Sequence, residues 1–339
     1  MRIAVDAMGG DLAPEAPVAG AVEAVRLDPS LEVILVGPAA RVNAALDAYG
    51  HHPRVHVVDR SDVIETGEAP VAAVRGKPQS SLVQAIRLVK QGDADGAVSA
   101  GNTGAMMAAG LLVLGRVAGV ERPALSAALP GRGDRGVLLL DVGANIDAKP
   151  QHLVQYAWMG ALYAQEVLGI DRPRVGLLNI GVEPGKGPAG IQEVHARLSL
   201  ETSLNFVGNV ESREVMTGSV DVLVSDGFVG NILLKAVEGT AGEVVGRLRT
   251  ALRSSFRARL GALLAMPALR GLGRQMDYQE VGGVPLLGLD GVVIKAHGSS
   301  RARAFQNSIV RAREQAERRV TALIREVMDR SLSPSEEAP

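Results

Sequence analysis

The sequence predicts an α/β protein with a Rossmann-like α/β/α architecture, in which helices cover both faces of a mainly parallel sheet. Short apolar runs of strand length alternate with segments whose apolar residues recur at helical spacing. A hydrophobic content of 47% over 339 residues is enough for a large buried core. Five of the strand runs end in glycine-bearing polar loops, and loops of this kind bind ligands at the edges of such sheets.

Apolar periodicity assigns the elements in order along the chain. The predicted strands are 2–5, 31–36, 55–58, 96–100, 137–140, 174–178, 205–208, 221–224 and 292–295. The predicted helices are 14–27, 39–49, 80–91, 102–114, 150–168, 190–200 and 231–251, followed by one long terminal helix over 301–330. Segment 282–288 is predicted to be a turn and 331–339 a disordered tail. No clear linker separates the two halves, so residues 1–330 are expected to form one domain, with two intimately fused lobes as the alternative.

Composition narrows the classes of function. The net charge is −1 and aromatic residues make up only 3%, so nucleic acid is not an expected partner. The chain has no cysteine, which excludes disulfides, thiolate metal ligands and thiol nucleophiles. No signal-peptide pattern opens the sequence, and no apolar run reaches the roughly 18–20 residues of a spanning helix. A cytoplasmic protein is therefore expected.

The five glycine-bearing loops are 6–11, 99–104, 141–145, 179–187 and 225–231. Because loops that follow parallel strands gather at one edge of the sheet, we expect them to form one site. Small residues let the backbone approach an anion, and the helix that follows each loop points N–H groups at it.

The first loop places two carboxylates, Asp6 and Asp11, around Gly9 and Gly10. They are suited to handling a metal ion or phosphate, although Asp11 could instead cap the helix that begins at Pro14.

The second loop offers Ser99, Asn102 and Thr103 with backbone N–H groups around Gly101, which suits an oxyanion. A plain glycine turn into a tightly packed helix is the alternative.

Lys186 lies between two glycines in the fourth loop, where it can clamp an anion or simply stand in a surface turn. A Walker A motif is excluded, because Ile180 occupies the position of its first glycine and Gly187 that of its Ser or Thr. The dinucleotide fingerprint is absent as well, since no G-x-G-x-x-G opens the first helix.

In the fifth loop, Asp226 and Asn231 flank a glycine turn, and Lys235 follows one helical turn later. Asn231 is interpreted either as the cap of that helix or as an amide donor to a substrate oxygen. His297, in a Gly-Ser-Ser context after a strand, is either structural or catalytic. No metalloprotease motif, nucleophile elbow or triad is present, so the remaining donors and cations favour phosphate as a substrate.

A basic segment, 244–276, carries seven arginines and no acid, with apolar residues at helical spacing. It is predicted to be an amphipathic helix broken at Met266-Pro267 that contacts a membrane surface or an acidic partner. A helix packed on the core or on a dimer mate is the alternative.

Seven ordered motifs resemble the bacterial acyl-ACP:phosphate acyltransferases of phospholipid synthesis, over residues 2–308. They are 6–11, 99–105, 141–145, 179–181 with Lys186-Gly187, 226–235, 282–288 and 297–300. Two departures from the family pattern are minor: Val284 replaces a usual alanine, and Gly185 precedes Lys186 in a variable stretch.

The resemblance implies transfer of a fatty acyl group from acyl carrier protein to inorganic phosphate, giving acyl phosphate without a cofactor or a metal. It implies a fold akin to phosphate acetyltransferase and isopropylmalate dehydrogenase. It further implies a homodimer on the inner face of the membrane that hands its product to a membrane glycerol-3-phosphate acyltransferase.

On this resemblance, Lys186, Asn231 and His297 are the expected catalytic residues. The expected substrate-binding residues are Asp6, Gly9, Gly10, Asp11, Ser99, Gly101, Asn102, Thr103, Asn145, Asp226 and Lys235. An excursion over 244–278 is expected to contact an anionic membrane or the carrier protein through Leu260, Leu263, Leu264, Met266, Leu269, Leu272, Arg257 and Arg259. Two alternatives stay open: an actin-like, magnesium- and ATP-dependent phosphotransferase, and a membrane-bound scaffold without activity.

Overall fold

A computed structural model describes residues 1–131, 136–275 and 282–332, without the side chains of 268–275 and 331–332. The strands are β1 (Arg2–Asp6), β2 (Glu32–Gly37), β3 (Val55–Asp59), β4 (Gly96–Ser99), β5 (Ala124–Leu129), β6 (Val137–Leu140), β7 (Arg174–Asn179), β8 (Asn205–Glu211), β9 (Val222–Val224), β10 (Val284–Leu287) and β11 (Val292–Lys295). The helices are α1 (Glu15–Leu27), α2 (Ala39–Asp47), α3 (Pro70–Gly76), α4 (Ser81–Gln91), α5 (Thr103–Ala109), α6 (Pro150–Glu166), α7 (Ala189–Leu200), α8 (Gly227–Arg253), α9 (Phe256–Gln275), α10 (Ala302–Glu317) and α11 (Val320–Leu332).

Within the described ranges, eleven strands form one continuous sheet in the order β3-β2-β1-β4-β11-β10-β5-β6-β9-β7-β8. The first five strands of that order run parallel to one another, and so do the last four. Between them, β10 and β5 pair antiparallel with each other and with their outer neighbours. The prediction of a Rossmann-like, mainly parallel α/β/α sheet is therefore confirmed.

The antiparallel centre reverses the strand direction, which corrects one expectation. The carboxyl ends of β1, β4 and β11 lie at one edge of the sheet, and those of β6, β7 and β9 at the opposite edge. The five loops therefore do not gather at one edge. They approach the middle of the sheet from both sides, over β10 and β5.

Close helix packing fixes the first half of the sheet. α1 and α10 lie side by side on one face, and Gly20 of α1 approaches Phe305 of α10 so closely that a Cβ there would stand 2.4 Å from the Phe305 Cβ. Phe305 and Val22 are fully buried in this core. On the second half, α6 and α11 cover a core built around Tyr156 and Leu140.

Several local predictions need correction. The terminal helix is two helices, α10 and α11, separated at Arg318 and Arg319, and Arg319 adopts a φ of 55°. Residues 284–287 form β10 rather than a turn. Pro267 lies inside α9, and the break in the basic segment comes earlier, at residues 254–255 between α8 and α9.

Two further segments were not predicted: β5, an alanine-rich strand, and the short helix α3. The helix α11 continues to Leu332, two residues into the predicted tail, and 333–339 lie outside the described residues. In the described part of the chain, no helix is long and apolar enough to cross a bilayer.

Candidate active site

A cleft of about 410 Å³ lies on the face of the sheet where the strand direction reverses. Its floor is formed by residues 125–128 of β5 and by Val284 of β10. One wall is the first part of α8, which contributes Asn231 and Lys235. The opposite wall is formed by the end of β11 and by Thr103 at the start of α5, so both parallel halves of the sheet contribute to one cleft.

The α8 wall is set by its capping residue. Asp226 is the N-cap of α8, and its Oδ1 accepts a hydrogen bond of 2.8 Å from the N–H of Val229. Asn231 lies within the first turns of the helix, so the interpretation of Asn231 as the cap is wrong. The Asn231 amide is 3.8 Å from the position of a Cβ on Gly143 and lines the cleft. The Asp226 side chain is occupied by capping.

Glycines let α8 pack tightly on the loop after β6. A Cβ on Gly230 would stand 1.9 Å from the backbone oxygen of Asp141, so only glycine fits there. The N–H of Gly227 donates to the carbonyl of Asn145 at 2.9 Å. Asn145 itself donates through Nδ2 to Pro123 O and to Asp141. Asn145 therefore holds the loop in place and does not line the cleft.

Asp141 is the hub of this loop. It is fully buried, and burial raises the pKa of its carboxyl group while the hydrogen bonds from Ala144, Asn145 and Leu125 oppose that rise. From the sequence, Asp141 is only the first residue of a glycine-bearing loop. Its structural role follows from burial, which a single loop sequence does not reveal.

The end of β11 brings Lys295 and His297 into the cleft. The Lys295 side chain is half-buried, and its ammonium donates to the backbone oxygen of Ala296. Burial lowers the pKa of Lys295 to about 8, although the nearby carboxylates of Asp11 and Asp6 oppose that shift. Lys295 was not among the predicted site residues, because its position at the end of a buried strand gave no functional signal.

His297 is oriented by its own loop. Its Nδ1 accepts a hydrogen bond of 3.2 Å from the N–H of Ser299 and lies 2.8 Å from the Ser299 Oγ. Since a backbone N–H can only donate, the neutral ring carries its proton on Nε2. The N–H of Asp11 donates to Gly298 O at 2.8 Å, which joins the first loop to the His297 loop.

The first two glycine-bearing loops, 6–11 and 99–104, are joined to each other by hydrogen bonds. Asp6 is buried, and its Oδ2 accepts a 2.6 Å hydrogen bond from the Ser99 hydroxyl. Ser99 in turn accepts one from Gly101 N at 2.9 Å. Burial raises the pKa of Asp6, against the opposing hydrogen bonds from Ser81, Ser99 and Met8. Asp6 and Ser99 therefore hold the two loops in position relative to each other.

Glycine is required in the first loop because the two loops approach so closely. A Cβ on Gly9 would lie 2.7 Å from both the Asp6 carboxylate and the Ser99 hydroxyl, and Gly10 has a φ of 101°. Asp11 is exposed, and α1 begins at Glu15 with Pro14 as its N-cap residue and without a side-chain cap. The capping interpretation of Asp11 is therefore wrong.

Asn102 and Thr103 are neighbours in the second loop, but only Thr103 lines the cleft. The Oδ1 of Asn102 caps α5 by accepting from Ala105 N at 3.0 Å, and its Nδ2 donates to the backbone oxygens of Thr66 and Glu68. Asn102 is thus engaged within the protein. Thr103 is exposed and lines the cleft beside the β11 end.

Lys186 lies outside the residues that line the cleft. It is exposed in the loop after β7, at the same edge of the sheet as the start of α8. Asn179 Nδ2 donates to the backbone oxygen of Lys186 at 3.0 Å, and Asn209 Nδ2 donates to Glu183 O at 2.8 Å. The backbone of the loop is thus anchored, and a catalytic role of Lys186 stays a prediction.

The basic segment forms an arm made of the end of α8 and of α9, which contact each other. Leu260, Leu263 and Leu264 are 51%, 66% and 78% exposed, and Phe256 is 82% exposed. Arg257 and Arg259 are exposed among them, and Met266 is half-buried. The side chains of Leu269 and Leu272, like residues 276–278 of the predicted excursion, lie outside the described residues.

The side chains that line the cleft are suited to binding an anion. Two lysines, a histidine, an amide and one carboxylate, that of Glu238, line the cleft. Asn231 and Lys235 on α8 face Lys295 and His297 at the β11 end. Among the residues that the structure describes, no three His, Asp or Glu side chains converge as metal ligands. Preorganised cations and N–H donors of this kind stabilise phosphate and a tetrahedral oxyanion.

Known proteins match this chain in sequence over nearly its whole length. A family model described as "Fatty acid synthesis protein" matches residues 1–323. The phosphate acyltransferase of Bacillus licheniformis is 50% identical over 326 residues, which cover 96% of this chain and 98% of that protein. The phosphate acyltransferase of Clostridium acetobutylicum is 49% identical over 313 residues, covering 92% and 94%.

Solved structures support the fold. A phosphotransacetylase from Streptococcus pyogenes matches with a TM-score of 0.59 at 20% identity, covering 94% of both chains. A branched-chain phosphotransacylase from Enterococcus faecalis matches with a TM-score of 0.55 at 19% identity, covering 92% of this chain and 99% of that one. At these identities the likeness shows the fold, whereas the sequence relatives show the family. The chain belongs to the phosphate acyltransferase family and is an acyltransferase of fatty acid and phospholipid synthesis.

Proposed function

We propose that the protein transfers a fatty acyl group from the thioester of acyl carrier protein to inorganic phosphate, releasing acyl phosphate and free carrier protein. The observation that carries this proposal is the cleft, where cations and an amide converge in a chain that contains no cysteine. Inorganic phosphate is itself a nucleophile, so the reaction needs positioning and charge stabilisation rather than a thiol on the enzyme. The name shared by the relatives, phosphate acyltransferase, agrees with phosphate as the acceptor.

The α8 wall is the phosphate side of the cleft. Lys235 and Asn231 lie one helical turn apart, so they present a cation and an amide N–H to the same anion. Thr103 stands on the opposite wall with an exposed hydroxyl. Lys186, at the same edge of the sheet as α8, is flanked by two glycines and swings onto the phosphate when it binds.

The chemical step begins when an unprotonated oxygen of hydrogen phosphate attacks the thioester carbonyl, forming a C–O bond and a tetrahedral oxyanion. Asn231 Nδ2–H and His297 Nε2–H donate to that oxyanion. Collapse of the intermediate breaks the C–S bond and leaves acyl phosphate. The loops containing Asp6, Gly9, Gly10, Ser99 and Gly101 hold the His297 loop in position from below.

The arm formed by α8 and α9 places the enzyme on an anionic membrane. Its exposed leucines insert among the lipids while Arg257 and Arg259 meet acidic headgroups. We further propose that the protein acts in the cytoplasm as a homodimer at the inner face of the membrane. There it would hand acyl phosphate to a membrane glycerol-3-phosphate acyltransferase.

The test is incubation of the purified chain with acyl-ACP and phosphate, followed by mass spectrometry of both products. Free carrier protein and acyl phosphate should appear in equal amounts, in the presence of EDTA and without ATP. Release of carrier protein with free fatty acid instead of acyl phosphate would show hydrolysis and overturn the proposal. Family membership already sets aside the kinase and scaffold alternatives.

A further inference from the structure

We propose that Lys295 is the acid that protonates the departing sulfur of the carrier-protein thioester. This inference rests on the proposed function and adds a role that the predicted site residues left unfilled. Lys186, Lys235, Asn231 and His297 account for the phosphate and the oxyanion. None of them is assigned to the leaving group, which departs as a thiolate unless it receives a proton.

The position of Lys295 separates it from the phosphate side. Lys295 lies at the end of β11, across the cleft from Lys235 on α8. The carboxylates of Asp6 and Asp11 are close enough to interact with its ammonium group. A phosphate dianion placed beside Lys295 would be repelled by these two carboxylates, whereas a neutral thioester would not be repelled. The electrostatics therefore place the sulfur at the Lys295 end of the cleft.

The environment of Lys295 also favours proton donation. Burial lowers the pKa of its ammonium to about 8, so the group can both give up and regain a proton close to neutral pH. Lys235, in contrast, is exposed. The same two carboxylates make an unprotonated thiolate costly beside Lys295, so the proton is needed as the C–S bond breaks.

The proton balance closes without another reactant. When the tetrahedral intermediate collapses, the C–S electron pair goes to sulfur and the Lys295 Nζ proton goes with it, giving a thiol. The acyl phosphate still carries the proton that entered on hydrogen phosphate. That proton then passes to the neutral amine of Lys295 and restores the ammonium group.

The test compares the wild type with Lys295→Met and Lys295→Arg on two donors with the same acyl chain. One donor is acyl-ACP, whose alkyl thiol needs a proton, and the other is a 4-nitrothiophenyl ester, whose thiolate leaves unaided. Both variants should lose about 10²–10⁴-fold in kcat with acyl-ACP. With the aryl ester they should stay within about fivefold, because general-acid help is no longer required. Arginine retains the positive charge, but its guanidinium group does not give up a proton near pH 8.

The matched control is Lys90→Met. Lys90 also donates through Nζ to a backbone oxygen, that of Leu114 at 3.1 Å, and it lies away from the cleft. This variant should keep wild-type rates with both donors. The thermal midpoints of all variants are measured alongside, so that a folding defect is recognised.

A pH profile provides the second measurement, above pH 7.5 where phosphate stays a dianion. The wild-type kcat with acyl-ACP should fall as the pH rises through about 8, because the acid form of Lys295 is lost. The Lys295→Arg profile should be flat over that range. The charged or titratable groups facing Lys295 are Asp6 and Asp11 from the first loop, His297 from its own loop, and Lys235 and Glu238 from α8.

The possible outcomes separate the two proposals. Equal losses with both donors, a raised KM for phosphate at unchanged kcat, or full activity of Lys295→Arg would each overturn the acid role alone. Absence of wild-type turnover with acyl-ACP and phosphate would overturn the proposed function and the acid role with it.

Discussion

Replacing Asp141 by alanine tests how the cleft is held together. The Asp141 Oδ1 accepts hydrogen bonds from the N–H groups of Leu125, Gly143 and Ala144 at 3.0–3.2 Å. Its Oδ2 accepts two more from Asn145, at 2.6 Å from the backbone and 3.1 Å from Nδ2. One buried carboxylate thus satisfies five N–H groups that join β5, β6 and the following loop.

The expected loss of stability follows from these donors. Each buried donor left without an acceptor costs about 1–3 kcal/mol, but water reaches the exposed Gly143 and replaces its partner. Burying the carboxyl group costs free energy, and this cost is what raises its pKa. Removing the group relieves that cost and offsets part of the loss. We expect a net loss of about 3 kcal/mol for Asp141→Ala, in the range for a broken buried network.

The measurement is thermal unfolding by circular dichroism. For 339 residues the entropy of unfolding is about 0.7 kcal/mol/K, so a loss of 3 kcal/mol lowers Tm by about 4 °C. Asp147→Ala, at an exposed position of the same loop, is the matched control and should leave Tm within 1 °C. A wild-type Tm for Asp141→Ala, or an equal loss in the control, would refute the reasoning.

Three further predictions concern activity and location. Asn231→Ala should lower kcat/KM by about 10²-fold, and Lys186→Ala by about 10²–10³-fold, each being the scale of one lost oxyanion or phosphate donor. Steady-state turnover of acyl-ACP decides both, and near-wild-type rates would contradict the role assigned to that residue. The paired change of Leu263 and Leu264 to Glu should release the protein from anionic vesicles in a flotation assay while sparing activity in solution. Leu200→Glu, at an equally exposed leucine of α7, is its control, and unchanged vesicle binding of the pair would argue against the arm.

Much of the fold could be predicted because apolar periodicity and glycine loops are local signals. Thr103, Asn231, Lys235 and His297 were singled out from loops far apart in the sequence, and the cleft brings all four together. The reversal of the sheet could not be predicted in this way. A buried strand has the same residue pattern whichever way it runs, and β10 has only four residues.

Three of the expected substrate-binding side chains are engaged within the protein. Asp6, Asn102 and Asn145 were expected to bind substrate, yet their polar atoms are engaged by N–H donors and backbone oxygens of neighbouring loops. Lys295 was missed because the two carboxylates that interact with its ammonium, those of Asp6 and Asp11, lie about 280 residues earlier in the sequence. The cap of α8, in contrast, has a signal in the sequence, since aspartate is among the residue types favoured at a helix N-cap.

The length of α8 has a consequence for where the product is released. This single helix carries Asn231 near its base and ends at Arg253, so about 33 Å of rigid rod separates the reacting centre from the arm's tip. An enzyme resting on that tip would hold its cleft well above the lipid headgroups. The water-soluble carrier protein could then approach from the side, while the acyl phosphate would have to cross this height to reach the bilayer. Lengthening or shortening α8 by whole turns would change that height without altering the cleft.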